Sequence, residues 1–220
     1  MKGFFTNRAM LRSAIYIKPI HLVLICIFLA GLGYLDNSFA SDQPQERIKA
    51  TADKLLLSIH ENKSKYEKNE DLLFNFVDQT LSPILDFDAL TKQILGRKYY
   101  SKASEEQRLE FSEALKWQLI RLYAKTILQH SHARIGYLPE AEKRTGKIRF
   151  VRTELYLGGG QRPFKVDYAM RQTQGEWKIV EVVANGIRLV KSLRNTFQPE
   201  IEQTGLTAVI KRLNATQVID

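Results

Sequence analysis

The order of two hydrophobic periodicities along the chain constrains its fold most strongly. Over residues 47–130, apolar side chains recur every three or four positions, which is typical of amphipathic helices. Over residues 134–185 the pattern changes to short segments of alternating or β-branched residues, which is typical of strands. A short helical tail follows. Helices and strands that are separated along a chain, rather than alternating, predict an α+β fold.

Spacing and terminal signals predict four helices before the strands. Asp86 is a suitable N-cap for the third helix, and Gly96 is a suitable stop. Ser104 and Gln107 match a capping box at the start of the fourth and longest helix. The predicted helices cover residues 47–60, 71–81 and 87–95 and a long segment after Ser104. The apolar stripe of this last helix comprises Phe111, Leu115, Leu119, Leu122, Tyr123 and Thr126.

Four strands are predicted after the helices, and the glycines at 158–160 join the second strand to the third as a hairpin loop. In the third strand Phe164 and every second residue after it form an apolar face, opposite Lys165 and Asp167. An antiparallel strand with one buried face has this pattern. We expect N-terminal helices packed on the concave side of a curved antiparallel sheet, with strands at residues 134–138, 147–157, 162–171 and 176–185.

Residues 177–197 are the most distinctive segment of the chain. Trp177 begins a strand rich in β-branched residues, and Gly186 permits a change of direction where that strand ends. The residues that follow have helical spacing. The apolar face of this helix comprises Leu189, Leu193 and Phe197, and the basic residues Lys191 and Arg194 lie off it and are expected to face outward.

Two blocks of the chain resemble the MlaC family, also called the toluene-tolerance family. The C-terminal block has a Trp, an acidic residue four positions later, a Gly, an apolar pair and then Arg-x-x-Phe. The second block precedes it in the family's order, and the resemblance covers about residues 48–213. The matching residues are Trp177, Glu181, Gly186, Leu189, Val190, Arg194 and Phe197 in the first block, and Leu95, Gly96, Tyr99, Tyr100, 104–108, Phe111 and Tyr123 in the second.

The resemblance implies a periplasmic carrier that binds phospholipid and moves it between the inner and outer membranes, supporting outer-membrane lipid asymmetry. It also implies a fold related to the NTF2-like fold, with a deep apolar cavity between sheet and helices. Two partners are implied: an inner-membrane ABC transporter with a ring of lipid-binding domains, and an outer-membrane lipoprotein associated with a porin.

Alternation and stripe position suggest which residues would form the cavity. We expect the headgroup to stay at the mouth, where basic residues after Gly186 are available for headgroup or partner contacts. The candidates for the headgroup or partner contact are Arg188, Lys191 and Arg194. The candidate tail-binding wall comprises Phe111, Leu115, Leu119, Tyr123, Val151, Leu155, Phe164, Val166, Tyr168, Met170 and Val183.

The first forty residues predict export. Residues 1–18 carry four basic residues and no acid, and residues 22–35 are mostly apolar. Small residues then occupy the positions that a signal peptidase reads, with cleavage expected after Ala40. A transmembrane anchor is the alternative, but the apolar stretch is shorter than the roughly twenty residues that span a bilayer. We therefore expect residues 41–220 to form one lipid-binding domain in the periplasm.

Composition after cleavage limits the classes of partner. The only cysteine, Cys26, leaves with the signal, so no disulfide framework is available. The full chain has a net charge of +9, and removing the signal leaves about +6, which favours anionic membrane surfaces or acidic proteins. No nucleic-acid-binding motif is present, so we expect no nucleic-acid partner. The strand carboxylates Glu154, Asp167 and Glu181 are expected to be solvated or paired with Arg152, Lys165 or Lys178.

The chain lacks the sequence signatures of common catalytic and metal sites. No Lys-Ser/Thr follows the glycine triplet, no HExxH includes His130 or His132, and no nucleophile elbow is present. We therefore predict no enzyme activity, metal or cofactor. Three alternatives stay open: a carrier of another amphiphile such as a hopanoid, a structural adaptor with a filled core, and an NTF2-like enzyme using Asp167 or Tyr168 on a small hydrophobic substrate.

Overall fold

The computed structural model describes residues 43–139, 147–158, 160 and 162–215. The predicted signal, residues 1–40, and its cleavage position after Ala40 lie outside these residues. Within the described ranges, no helix is both long and apolar enough to cross a membrane. In chain order the elements are α1 Pro44–Glu61, α2 Lys63–Lys68, α3 Glu70–Leu81, a 3₁₀ turn Ser82–Ile84, α4 Phe87–Tyr100, α5 Glu105–Gln129, β1 Arg134–Tyr137, β2 Ile148–Tyr156, β3 Phe164–Thr173, β4 Glu176–Ala184, β5 Ile187–Arg188, α6 Leu189–Thr204 and α7 Leu206–Ala215.

Short-range capping fixes where α4 and α5 begin. The Asp86 carboxylate accepts the Ala89 amide at 3.0 Å, which confirms the predicted N-cap of α4. At α5 the Ser104 hydroxyl accepts the Gln107 amide, and the Gln107 side chain accepts the Ser104 amide, both at 3.1 Å. The predicted capping box is therefore confirmed. Both caps satisfy amides that a helix leaves unpaired in its first turn.

Gly96 interrupts α4 without ending it. Its φ of 65° lies in the left-handed region, and helical structure resumes for one further turn. The predicted end of this helix is therefore wrong, although the glycine does mark the break. Side chains of α6 supply the missing donors at the break. Gln198 donates to the Leu95 carbonyl at 2.9 Å, and Arg194 Nε donates to the Gln93 carbonyl at 2.5 Å.

The sheet is open and antiparallel, with the described strands in the order β1-β2-β3-β4-β5. Tyr168 in the central strand lies opposite Val151 on one side and Val182 on the other, so the three share a face. The alternate residues of β3 on this face, from Phe164 to Met170, are all buried. The predicted apolar face of β3 and the α+β class are therefore confirmed.

A β-bulge interrupts the alternation of β4. Met170 pairs with Ile179, whereas the next paired residue along β4 is Glu181, so Val180 is the extra residue. A bulge of this kind adds one residue to one strand and moves the following side chains to the opposite faces. As a result Val182 faces the helices, two residues before the strand ends.

Buried apolar side chains form two large clusters. The larger lies between the inner face of the sheet and helices α1, α3 and α5. The smaller lies between α4, α5, α6 and α7, and in it the rings of Phe111 and Phe197 meet edge to face with centroids 5.5 Å apart. Leu122 was predicted to belong to the apolar stripe of α5 but is 49% exposed. The predicted stripe is therefore wrong at this position.

Candidate functional site

An apolar pocket lies where the two clusters meet. Its walls come from the end of α3, the 3₁₀ turn, α4, α5, β4 and α6, and its volume is about 90 Å³. This is less than the roughly 150 Å³ of a cavity that holds benzene, so this pocket has no room for two acyl chains as it stands. The apolar lining comprises Leu81, Leu85, Phe87, Leu90, Ile94, Leu115, Leu119, Ile120, Ile179, Val182, Leu189, Val190 and Leu193.

The pocket lining includes one charged side chain. Among the described residues, Lys116 is the only charged residue that lines the pocket. Its ammonium lies 3.3 Å from Asp78 and 2.9 Å from Glu113, and the Ser82 hydroxyl also bonds to Asp78. Burial lowers the pKa of Lys116, but Glu113 and Asp78 raise it by more, so the net shift is upward. The ammonium stays protonated and is held by these two carboxylates beside the apolar wall.

Two buried hydroxyl residues interrupt the apolar wall. Tyr123 of α5 is only 2% exposed and Thr91 of α4 only 4% exposed, and both line the pocket. Neither side-chain hydroxyl has a hydrogen-bond partner among the described residues. Burial raises the pKa of Tyr123, so the phenol remains protonated and able to donate.

The structure brings together only part of the predicted tail-binding wall. Leu115, Leu119 and Tyr123 line the pocket. Phe111 is fully buried in the smaller cluster and lies behind that wall. The remaining inward-facing residues pack in the larger cluster under α1, α3 and α5. These are Val151, Leu155, Phe164, Val166, Tyr168 and Met170.

Val183 lies on the other face of the sheet. It pairs with Asp167 and Arg188, whereas its neighbour Val182 lines the pocket. Simple alternation from Ile179 would bring Val183 inwards, but the bulge in β4 shifts the alternation by one residue. The prediction that Val183 belongs to the wall is therefore wrong, and Val182 takes its place in the pocket lining.

None of the three predicted headgroup or partner residues lines the pocket. Lys191 is exposed on α6. Arg188 is ion-paired with Glu181 at 3.1 Å, although its side chain remains 60% exposed. Arg194 is half-buried and donates to the Gln93 carbonyl of α4, so the expectation that it faces outward is wrong. Its geometry assigns it a structural contact between two helices.

The carboxylates on the strands have separate environments. Glu181 is buried and pairs with Arg188 rather than with the expected Lys178. Burial raises the pKa of Asp167, with Arg152 and Lys165 acting in the opposite direction. Asp167 lies on the outer face of β3, opposite to Tyr168, and neither residue lines the pocket.

The histidines at the end of α5 make structural contacts. His130 Nδ1 lies 2.8 Å from the Thr126 carbonyl, and the His132 ring packs edge to face on His60 with centroids 5.5 Å apart. In the part of the chain that the structure describes, no three histidine, cysteine or carboxylate residues are grouped as metal ligands would be.

Sequence reasoning missed the contribution of α4 and of Lys116. Phe87, Leu90, Thr91 and Ile94 have the i, i+3, i+4, i+7 spacing of one helix face, and all four line the pocket. That spacing was available in the sequence. Lys116 carried no such signal, because a single lysine in a long amphipathic helix is ordinarily on the solvated face.

Comparisons with known proteins agree with this architecture. A toluene tolerance protein, ttg2D, of Pseudomonas putida is 29% identical over 187 residues, which cover 83% of this chain and 86% of the relative. A phospholipid-binding protein from Ralstonia solanacearum, solved in complex with a phospholipid, superposes with a TM-score of 0.71 at 25% identity. That match covers 79% of this chain and 96% of the other.

The family comparison extends over most of the chain. The model of the MlaC protein family matches residues 49–215, which run from within α1 to the end of α7 and include all of the described residues that line the pocket. This chain therefore belongs to the MlaC family.

Proposed function

We propose that the protein is a periplasmic phospholipid carrier that moves lipid between the inner and outer membranes and so supports outer-membrane lipid asymmetry. The observation that carries the proposal is the pocket, whose lining is almost entirely apolar and includes one charged residue, Lys116, among the described residues. An amphiphile has the same division between apolar tails and a charged headgroup. The Ralstonia relative, described as phospholipid-binding, adds support.

The cost of moving lipid through water explains why a buried site is needed. Each methylene exposed to water costs about 0.8 kcal/mol. Two acyl chains of about fourteen methylenes would therefore cost on the order of 20 kcal/mol outside a membrane. A carrier covers the acyl chains with its own apolar surface and so keeps them out of water. The free energy of the lipid in the protein must nevertheless remain close to its free energy in the bilayer, because a site that binds much more tightly would not release its lipid.

Lipid entry requires the pocket to widen well beyond about 90 Å³. The helices α4 and α6 are each tied to the sheet by a buried carboxylate, Asp86 and Glu181 respectively. They are also tied to each other through Arg194 and Gln198. We infer that α5 moves away from this pair, since apolar contacts can separate without breaking these hydrogen bonds. Hydrogen exchange in α5 that differs between lipid-free and lipid-loaded protein would support this route.

The proposed partners are the inner-membrane ABC transporter with its ring of lipid-binding domains and the outer-membrane lipoprotein–porin complex. Arg188 and Lys191 are exposed at the start of α6. They flank Leu189 and Val190, which line the pocket. Docking of an acidic partner surface on these basic residues would thus occur beside the site from which lipid is released.

The test is to express the full chain in a Gram-negative host, recover it from the periplasm without detergent, and compare native with denaturing mass spectra. We expect a protein beginning after Ala40 that releases a diacyl phospholipid on denaturation. A lipid-free protein that also fails to take up lipid from vesicles would overturn the proposal. Release of a hopanoid would identify a hopanoid, rather than a phospholipid, as the cargo. Turnover of a small hydrophobic compound would favour an enzyme.

A further inference from the structure

The Tyr123 hydroxyl is an unpaired donor in a wall that is otherwise almost entirely apolar. The residue is 2% exposed, and burial is the sole cause of its raised pKa. No described residue accepts a hydrogen bond from it. Because Tyr123 lines the pocket, its hydroxyl is left to pair with water or with a polar group on a ligand.

Two other tyrosines, both of the larger cluster, provide a comparison. Tyr66 pairs its hydroxyl with Ser58 at 2.9 Å. The Tyr137 hydroxyl is buried without a partner among the described residues, but Tyr137 packs against the larger cluster and does not line the pocket. Tyr123 therefore combines two properties: a free donor and a position on the ligand-facing wall.

The position of Tyr123 relative to Lys116 indicates which part of an amphiphile it would meet. The two residues are seven positions apart on α5, which is about two turns or roughly 10 Å along the axis, so they lie on one face. Among the described residues that line the pocket Lys116 is the one that is charged, and Tyr123 lies about two turns farther along the same helix. In a phospholipid, the groups between the charged phosphate and the tails are the two carboxylic esters, whose carbonyl oxygens accept hydrogen bonds.

We propose that Tyr123 donates a hydrogen bond from its phenol to an ester carbonyl of the bound lipid, so that the protein selects acyl-ester lipids over their ether-linked counterparts. This inference rests on the proposed function. Tyr123 acts as a specificity-determining residue, because an ether-linked lipid lacks the carbonyl oxygen and offers only a weaker acceptor in a different position. A net contribution of about 0.5–1.5 kcal/mol for one neutral hydrogen bond corresponds to roughly a two- to tenfold preference.

The test is a competition between two lipids with the same headgroup and chain length. Vesicles containing equal amounts of a diacyl and a dialkyl phosphatidylethanolamine are incubated with the full, processed protein, which is then separated and extracted for mass spectrometry. We expect the ester-to-ether ratio in wild-type protein to exceed that in Tyr123→Phe by about two- to tenfold. Tyr137→Phe is the matched control and should keep the wild-type ratio.

Each outcome separates this inference from the function on which it rests. If neither lipid enters the wild-type protein, the proposed carrier function fails. If both enter with the same ratio in wild type and Tyr123→Phe, lipid binding stands and the inference is overturned. A preference that survives Tyr123→Phe and disappears in Thr91→Val would overturn the assignment to Tyr123. An equal loss in Tyr137→Phe would show a structural effect and would also overturn it.

Discussion

The Glu181 carboxylate on β4 accepts the backbone amide of Val190 at 2.8 Å, so a strand residue caps the start of helix α6. The same carboxylate accepts the Val182 amide at 3.1 Å and the Arg188 guanidinium at 3.1 Å. Val182 and Val190 both line the pocket. One buried side chain therefore fixes how the sheet wall and the helix wall of the pocket meet.

We expect Glu181→Ala to lower the free energy of unfolding by about 2–4 kcal/mol, because it leaves two buried amides without an acceptor and Arg188 without its ion pair. Glu181→Gln should cost less, since the amide oxygen can still accept the two backbone amides that share Oε1 of Glu181. Arg188→Ala should cost within about 1 kcal/mol, because that side chain is 60% exposed. Urea unfolding followed by circular dichroism measures all three. An equal loss for Glu181→Ala and Arg188→Ala would contradict the capping role.

Gly96→Ala is expected to destabilise the protein by about 2–3 kcal/mol through two separate effects. The φ of 65° strains any residue with a side chain, and a Cβ would lie 2.5 Å from Gln198 Nε2. Gly205→Ala is the matched control, since its φ is 83° but nothing lies within 4 Å of the added carbon. It should show only the strain, about 1–2 kcal/mol.

The two effects at Gly96 can be separated by a double-mutant cycle. Gln198→Ala alone loses its hydrogen bonds to the Leu95 and Ile94 carbonyls. In combination with Gly96→Ala it also removes the collision, so the pair should cost less than the sum of the single changes. Chemical unfolding of the four proteins provides the cycle. Strict additivity would show that Gln198 moves aside freely.

Asp86 should make the stability of the protein depend on acid pH. Burial raises the pKa of this carboxyl, but hydrogen bonds from Ala89, Thr173 and Arg171 lower it by more, so the net shift is downward. A lowered folded-state pKa gives stability that is present above the unfolded value of about 3.9 and is lost as the pH falls through the folded value. The extra stability is therefore complete at neutral pH and disappears in acid.

The measurement compares wild type with Asp86→Asn across the acid range. At pH 7 the variant should be less stable by about 1–2 kcal/mol, because the charge facing Arg171 is gone while the cap to Ala89 is kept. The difference should shrink below about pH 4. Asp71→Asn, at an exposed position in the first turn of α3, is the control and should be nearly neutral throughout. A constant Asp86→Asn difference down to pH 3 would contradict the assignment.

Local features of the structure were predictable from the sequence because their causes are local. The Asp86 N-cap and the Ser104–Gln107 capping box each depend on residues three positions apart. The alternation of β3 depends on one strand with one buried face. In each case the physical determinant lies within the segment itself, and the expected and observed structures agree.

The pocket could be predicted only in part because its determinants are not local. Val183 was misplaced because the bulge at Val180 arises from pairing with β3 and leaves no mark in the β4 sequence. Lys116 was missed because its role depends on Asp78 from a different helix. The capping of α6 by Glu181 likewise joins residues that only the tertiary structure brings together.

The position of the pocket itself can be tested by filling it. Leu119 is half-buried on α5 and lines the pocket, so Leu119→Trp should occupy the space of about 90 Å³ and obstruct its widening. We expect lipid recovered with the purified variant to fall by about fivefold or more, while the unfolding free energy changes by less than about 1.5 kcal/mol. Leu122→Trp, on the same helix but at a position that is 49% exposed, is the control and should retain its lipid. If Leu119→Trp stays folded with full lipid occupancy, the tails are held elsewhere, and the larger cluster around Tyr168 and Leu155 becomes the site to test.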